Sequence, residues 1–275
     1  MNVAERVADT KSIRGWLFLG SLLLSVQVAA AATLQCKFSD DEGKPLKNVE
    51  ARLTLTGTEQ HQFERSGKNG EAGFHDVKAG EYELMAQLKG YVTLKREIEI
   101  VADQSIEQTL MSEKAFDRLD EEVRGAIRNE QFSSALPTVQ KLLISYPQDA
   151  ALHFNLGLIY AGLQQQDKAT AEAEKAAKLD AEFAEKGKLV QGTYWRERGQ
   201  NALKKEDFAI AAEAFENWTK LDATSDQAFY GLALAYGHQG KYPQALAAVD
   251  KALQLAPQNE SYQKVKQILQ TNASQ

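Results

Sequence analysis

The sequence predicts two domains of different class: a small antiparallel β-sandwich, then an all-α solenoid of four helix pairs and a capping helix. Three observations predict this multidomain architecture. Ala135, Ala169, Ala211 and Ala245 recur with a period of about 34 residues, lengthened once between Ala169 and Ala211, each in a similar frame of small and large apolar residues. Residues 33–112 lack that period and instead alternate polar and apolar residues between turn signals. A basic, then apolar, then Ala-rich stretch precedes both.

The chain has 275 residues, 43% apolar and 25% charged, which is ordinary for a globular protein of one large or two modest domains. Its net charge is -6, with no clustered basic stripe. Phosphate binding needs concentrated Lys and Arg, so nucleic acid is excluded as an expected partner.

Residues 1–32 read as a signal peptide. Arg6, Lys11 and Arg14 precede the apolar run Trp16–Val28, and Ala29 to Ala32 supply the small residues of a cleavage site between Ala30 and Thr33. The mature protein is then periplasmic or secreted. The alternative is an uncleaved anchor over residues 15–32, about long enough for a bilayer. Membrane association is expected only in that case. Cys36 follows closely, but Leu34 and Gln35 before it do not fit a lipobox. As the only cysteine it forms no internal disulfide and reads as a small buried residue of the first strand. An intermolecular bridge stays open in an oxidising compartment.

In residues 33–112, Val49, Ala51, Leu53 and Leu55 alternate with polar residues, as do Tyr82, Leu84 and Ala86, then Leu94, Ile98 and Ile100. Each run predicts a strand with one buried face. Asp41-Glu42-Gly43-Lys44-Pro45, Lys68-Asn69-Gly70 and Lys78-Ala79-Gly80 separate them as turns. Six or seven short strands at this spacing predict a sandwich. The segments Gly43-Lys44-Pro45-Leu46, Asn69 to Phe74, Val77 to Leu84 and Leu88-Lys89-Gly90-Tyr91 resemble the carboxypeptidase regulatory-like domain, a transthyretin-like sandwich. The resemblance implies a non-catalytic appendage with Phe74, Tyr82 and Tyr91 in its core.

Residues 113–275 carry the repeats. The second reads His153, Leu156, Gly157, Tyr160, Ala169, Ala176 and Leu179; the third Trp195, Gly199, Ala202, Ala211, Phe215 and Leu221. The fourth reads Phe229, Leu232, Ala233, Tyr236, Gly240, Ala245, Ala252, Leu255 and Pro257. The first is the most divergent, with Val123 in place of a small residue and Pro137 inside its second helix. This frame resembles the tetratricopeptide repeat, whose period is about 34 residues. Repeats fall near 116–149, 150–183, 192–225 and 226–259, with a capping helix over 259–271 bearing a stripe of Tyr262, Val265, Ile268 and Leu269. The extra residues from Ala184 to Gln191 lengthen one helix. Trp218 stands where the family carries alanine, so its ring either pushes helices apart or swings into a neighbouring gap.

No catalytic constellation is present. His61, His75, His153 and His238 have no metal-ligand spacing, and His153 falls on a core position of the frame. No phosphate loop or nucleophile elbow occurs, so no enzyme, cofactor or metal is expected. The resemblance implies instead a concave groove for a protein or extended peptide, lined by the first helix of each pair. Carried onto this chain, it names Arg124 and Arg128, then Phe154, Asn155 and Leu158, then Arg196, Gln200 and Lys204, then Tyr230, Leu234 and His238. Basic groups lie at one end and aromatics at the other. The resulting expectation is an exported adaptor or scaffold. Its rivals are glycan or envelope binding by the sandwich, with Phe63 and Tyr91 as stacking rings, and an accessory subunit of an envelope enzyme or secretion complex.

Overall fold

The computed structural model describes residues 31–274, so the signal, anchor and most of the cleavage region lie outside the described residues. The first domain contains β1 (Ala32–Ser39), β2 (Glu50–Leu55), β3 (His61–Arg65), β4 (Glu71–Val77), β5 (Gly80–Gln87), β6 (Leu94–Ile100) and β7 (Gln104–Thr109). Two sheets, ordered β4-β1-β7 and β3-β2-β5-β6, face each other. Leu34, Cys36 and Phe38 point inward from one, Ala51, Leu53, Leu84 and Ala86 from the other, and all are buried. The alternation read from the sequence is therefore the inward face of each strand.

The four-stranded sheet is antiparallel throughout. In the other sheet β1 runs antiparallel to β4 but parallel to β7. The short link Val101–Asp103 carries the chain across the sandwich from an edge of one sheet to an edge of the other, and it enters in the direction of β1. Alternation within a strand holds no record of its neighbour's direction, so this parallel pair is not visible in the pattern. At the turn before β4, Gly70 has φ +79°, and a Cβ there would fall 2.2 Å from the Phe38 carbonyl oxygen. Only glycine satisfies both conditions.

The helices are α1 (Glu113–Arg128), α2 (Phe132–Ser145), α3 (Ala150–Gly162), α4 (Gln166–Leu179), α5 (Glu182–Lys204), α6 (Phe208–Leu221), α7 (Asp226–His238), α8 (Tyr242–Leu255) and α9 (Glu260–Ala273). The first helices of pairs one, two and four, and α9, start on polar caps. Ser112, Asp149, Ser225 and Asn259 accept hydrogen bonds from the backbone N–H of Ala115, Leu152, Ala228 and Tyr262. Each first helix ends in one recurring turn. Glu130, Gln164, Glu206 and Gly240 adopt positive φ of 57°, 63°, 62° and 71°. The following N–H, of Gln131, Gln165, Asp207 or Lys241, reaches back to the carbonyl of Ala126, Tyr160, Ala202 or Tyr236 at 2.8 to 3.0 Å. This wrapped C-terminus satisfies a carbonyl that the helix leaves unpaired. Pro137 is accommodated in α2 on an exposed face.

The extra residues do lengthen one helix. α5 has 23 residues against 13 or 14 in its neighbours α3, α4, α6 and α7. At about 1.5 Å per residue it spans roughly 34 Å. It also joins two cores. Val190 and Tyr194 are buried with Ala161 and Ala169, whereas Ala202 is buried with Ala211, Phe215 and the residues of α7 to α9. Trp218 takes the second of its two expected courses: its indole swings over Gly192 of α5, where a Cβ would lie 3.6 Å from Nε1.

A third cluster runs from the sandwich through Leu110 and Met111 into α1, α2 and α3. At this junction the Met111 N–H donates to the Tyr146 hydroxyl at 2.6 Å, and Phe116 meets the Tyr146 ring edge-on at 5.3 Å. Three expected core residues are exposed: Leu179 by 39%, Leu255 by 37% and Ile268 by 58%. Leu179 and Leu255 are the last residues of their helices, beyond the cover of the next pair. Ile268 projects from the face of α9 that looks toward α7.

Candidate groove

Groove residues are set by counting along the first helices from the close-packed small residues. Arg124, Leu158, Gln200, Leu234 and Ile268 occupy one equivalent place in α1, α3, α5, α7 and α9, each one repeat after the last, with the longer interval falling between α3 and α5. The face these helices share divides into two electrostatic halves.

In the first half every expected arginine is already engaged. Arg124 pairs with Asp120 and Glu121, each at 3.1 Å, and Arg128 with Glu121 at 2.6 Å. Arg196 reaches Glu197 at 2.9 Å and Glu130, in the turn after α1, at 3.3 Å. The basic end read from the sequence is thus a lattice of ion pairs. Hydrogen bonding from Arg128 holds the exposed Glu121 carboxyl below its ordinary range. Burial raises that of Asp120, with the Arg124 charge opposing. Asn155 is itself buried and donates to Asp120 at 3.4 Å. Phe154 is half-buried against Phe183 with ring centroids 5.3 Å apart, and Leu158 is half-buried beside it.

The second half differs. Gln200 is half-buried and Lys204 exposed. Tyr230 stacks on Tyr262 of α9 at 4.5 Å, and the exposed His238 stacks on Phe208 at 4.5 Å and 4°. Leu234, Gly237 and His238 of α7 face Val265, Ile268, Leu269 and Asn272 of α9 across a mainly apolar cleft of about 290 Å³. The sequence reading stopped the groove at the fourth pair. It missed Val265, Ile268 and Asn272 because it assigned α9 only a capping stripe. The equivalence of Ile268 to Leu234, one repeat earlier, was the signal available.

His153 is a core residue. Its Nε2 faces the Pro147 carbonyl at 2.9 Å and its Nδ1 a Glu172 carboxylate oxygen at 2.5 Å. Cys36 is fully buried, and burial pushes its thiol up to about 12, so the intermolecular bridge has no accessible sulfur. Of the two rings considered for glycan stacking, Phe63 is exposed on β3 with His61 edge-on at 5.0 Å. Tyr91 packs on the core. Among the described residues no group of three His, Cys, Asp or Glu is placed to hold a metal ion. No described helix is long and apolar enough to cross a membrane.

Two family models match this chain. The tetratricopeptide repeat model matches residues 121–183 and 196–260, and that of the prealbumin-like fold domain matches residues 33–114. The break between the two repeat matches falls within α5. MamA from Desulfovibrio magneticus is similar in structure at 18% identity, covering 57% of this chain and 85% of its own, with a TM-score of 0.39. The C-terminal repeat domain of a Plasmodium falciparum putative FK506-binding protein, also at 18% identity, covers 46% of this chain and 89% of its own, with a TM-score of 0.35. No curated protein matches. The chain therefore couples a prealbumin-like β domain to a tetratricopeptide solenoid, an architecture that serves in general as a protein-interaction scaffold.

Proposed function

We propose that the protein is an exported, non-enzymatic adaptor that holds protein or peptide partners along the face shared by α1, α3, α5, α7 and α9. The observation that carries this reading is the α7–α9 cleft, where exposed Ile268 and half-buried Leu234 stand with His238. Apolar and aromatic groups of this kind dominate binding energy when a partner desolvates them. Export is supported by the basic–apolar–Ala order of residues 6–32. Ala32 is already buried within β1 and opposite Val77, which favours cleavage before Ala32 over cleavage after it. Sequencing the mature N-terminus should find Ala31 or Ala32, and an intact Met1 would overturn export by cleavage.

The groove reading is tested with a photo-crosslinking residue placed at Gln200 or His238 and, separately, at the exposed Lys251 of α8. The groove positions should capture partners in the native compartment and Lys251 should not. Equal capture from both faces would overturn the assignment of the groove.

A further inference from the structure

We propose that α7 and α9 form a docking notch for an acidic segment carrying one bulky apolar side chain, with α9 acting as a wall of the site. The inference rests on the groove reading above and specifies its partner. The notch is built for an apolar group. Leu234, Val265 and Ile268 line it, and Ile268 is 58% exposed although α9 already closes the core with buried Tyr262 and Leu269. Ile268 is therefore not needed to cap the last pair. A volume of about 290 Å³ admits one large side chain with part of its backbone.

Charge selects the rest of the occupant. The groove-facing places of α7 and α9, and of α5 beyond Glu197, carry no carboxylate: they hold Gln200, Lys204, Gln227, Tyr230, Lys264 and Asn272 beside the apolar residues and His238. Lys204 and Lys264 are exposed. Among the described residues neither has a carboxylate within 4.0 Å, whereas Lys266 on another side of α9 is held by Asp250 at 2.7 Å. The ion-paired first half has its charges internally matched. The carboxylates nearest this face lie at helix ends: Glu206 and Asp207 in the turn after α5, and Asp226 at the start of α7, which holds the Tyr262 hydroxyl at 2.9 Å. A neutral segment would leave both lysines without a counter-charge. An acidic segment is steered toward two uncommitted cations and anchored by its apolar side chain.

The test titrates the full chain with labelled peptides of equal length, followed by fluorescence anisotropy. One is Asp/Glu-rich around a central Phe, one replaces that Phe by Ser, and one is Lys-rich around the Phe. The acidic Phe peptide should bind best, and its affinity should fall with salt. Ile268→Asp and Lys264→Glu, both at exposed positions, should each weaken it by at least about tenfold. Lys251→Glu on α8 should leave it unchanged. If the Lys-rich peptide binds as tightly, or if Arg128→Glu abolishes binding while Ile268→Asp and Lys264→Glu do not, the notch is overturned and the groove stands. If no peptide responds to any groove substitution, both readings fall.

Discussion

Replacing Gly231 of α7 by alanine should destabilise the second half of the solenoid, although alanine is the better helix former. The Phe215 ring of α6 sits between two glycines. A Cβ at Gly231 would lie 2.4 Å from Phe215 Cε1, and one at Gly199 of α5 would lie 2.7 Å from Cζ. The ring cannot retreat from one glycine without meeting the other. Carbon atoms prefer roughly 3.5 Å or more, so α7 must move by about 1 Å or the ring must leave its rotamer. Overpacking of this kind costs about 1–3 kcal/mol, while the gain in helix propensity returns about 1 kcal/mol. The net expectation is a loss of up to about 2 kcal/mol. For a chain of this size that lowers Tm by up to about 8 °C.

Gly187 of α5 supplies the control, since nothing lies within 4 Å of a Cβ there. Gly187→Ala should keep its propensity gain and stabilise by about 0.5–1 kcal/mol. Thermal unfolding followed by circular dichroism reads both. Phe215→Leu should relieve the clash, so Gly231→Ala should be less damaging in that background than in the native one. The reasoning is refuted if Gly231→Ala is as stable as the native chain, or if its effect is the same with Leu in place of Phe215.

Tyr146→Phe should leave the buried Met111 N–H without its acceptor and destabilise the domain junction by about 1–3 kcal/mol, read as faster proteolysis between Thr109 and Glu113. Arg198→Pro, in α5 between Tyr194 of one core and Ala202 of the other, should cost about 3 kcal/mol or more and split thermal unfolding into two transitions. Burial raises the thiol of Cys36 from 9.0 to about 12. Tyr262 rises from 10.0 to about 12 through burial and its hydrogen bond to Asp226, and Tyr236 reaches about 12 through its hydrogen bond to Glu216. Between pH 9 and 12 the unfolded chain releases these protons while the folded one keeps them, so urea stability should be intact below pH 9 and fall across that window. Thiol reagents at pH 8 should modify Cys36 only after unfolding, and modification of the native protein would contradict its burial.

The alanines were readable because close approach of two helices excludes large side chains, and that demand is met residue by residue. The same holds for buried His153 and for the alternating faces of β2 and β5. The recurring left-handed turn was hidden, because Glu130, Gln164 and Glu206 stand where only Gly240 advertises positive φ. The state of the groove was hidden for another reason. Glu130 and Arg196 are distant in the sequence, on the first and third helix pairs, and meet only through the stacking of those pairs. Counting along one helix identified each arginine but not the acid supplied by a neighbouring element. Ile268 was misplaced because an apolar residue on a terminal helix fits a capping stripe and a groove wall equally well in one dimension.

The lengthened interval between Ala169 and Ala211 joins these points. Its extra residues, about eight beyond the ordinary period, stay helical, so they add about 12 Å of axial length within α5 rather than a loop. A loop would let the two halves of the solenoid reorient. A continuous helix fixes their rotation as well as their separation. The charge division falls on this same helix, since Glu197 is the last carboxylate at the counted groove places and Lys204 lies two turns further on. The first half packs on the Val190–Tyr194 stretch of α5 and the second on the stretch around Ala202, so the offset between the two halves runs along the axis of that one helix.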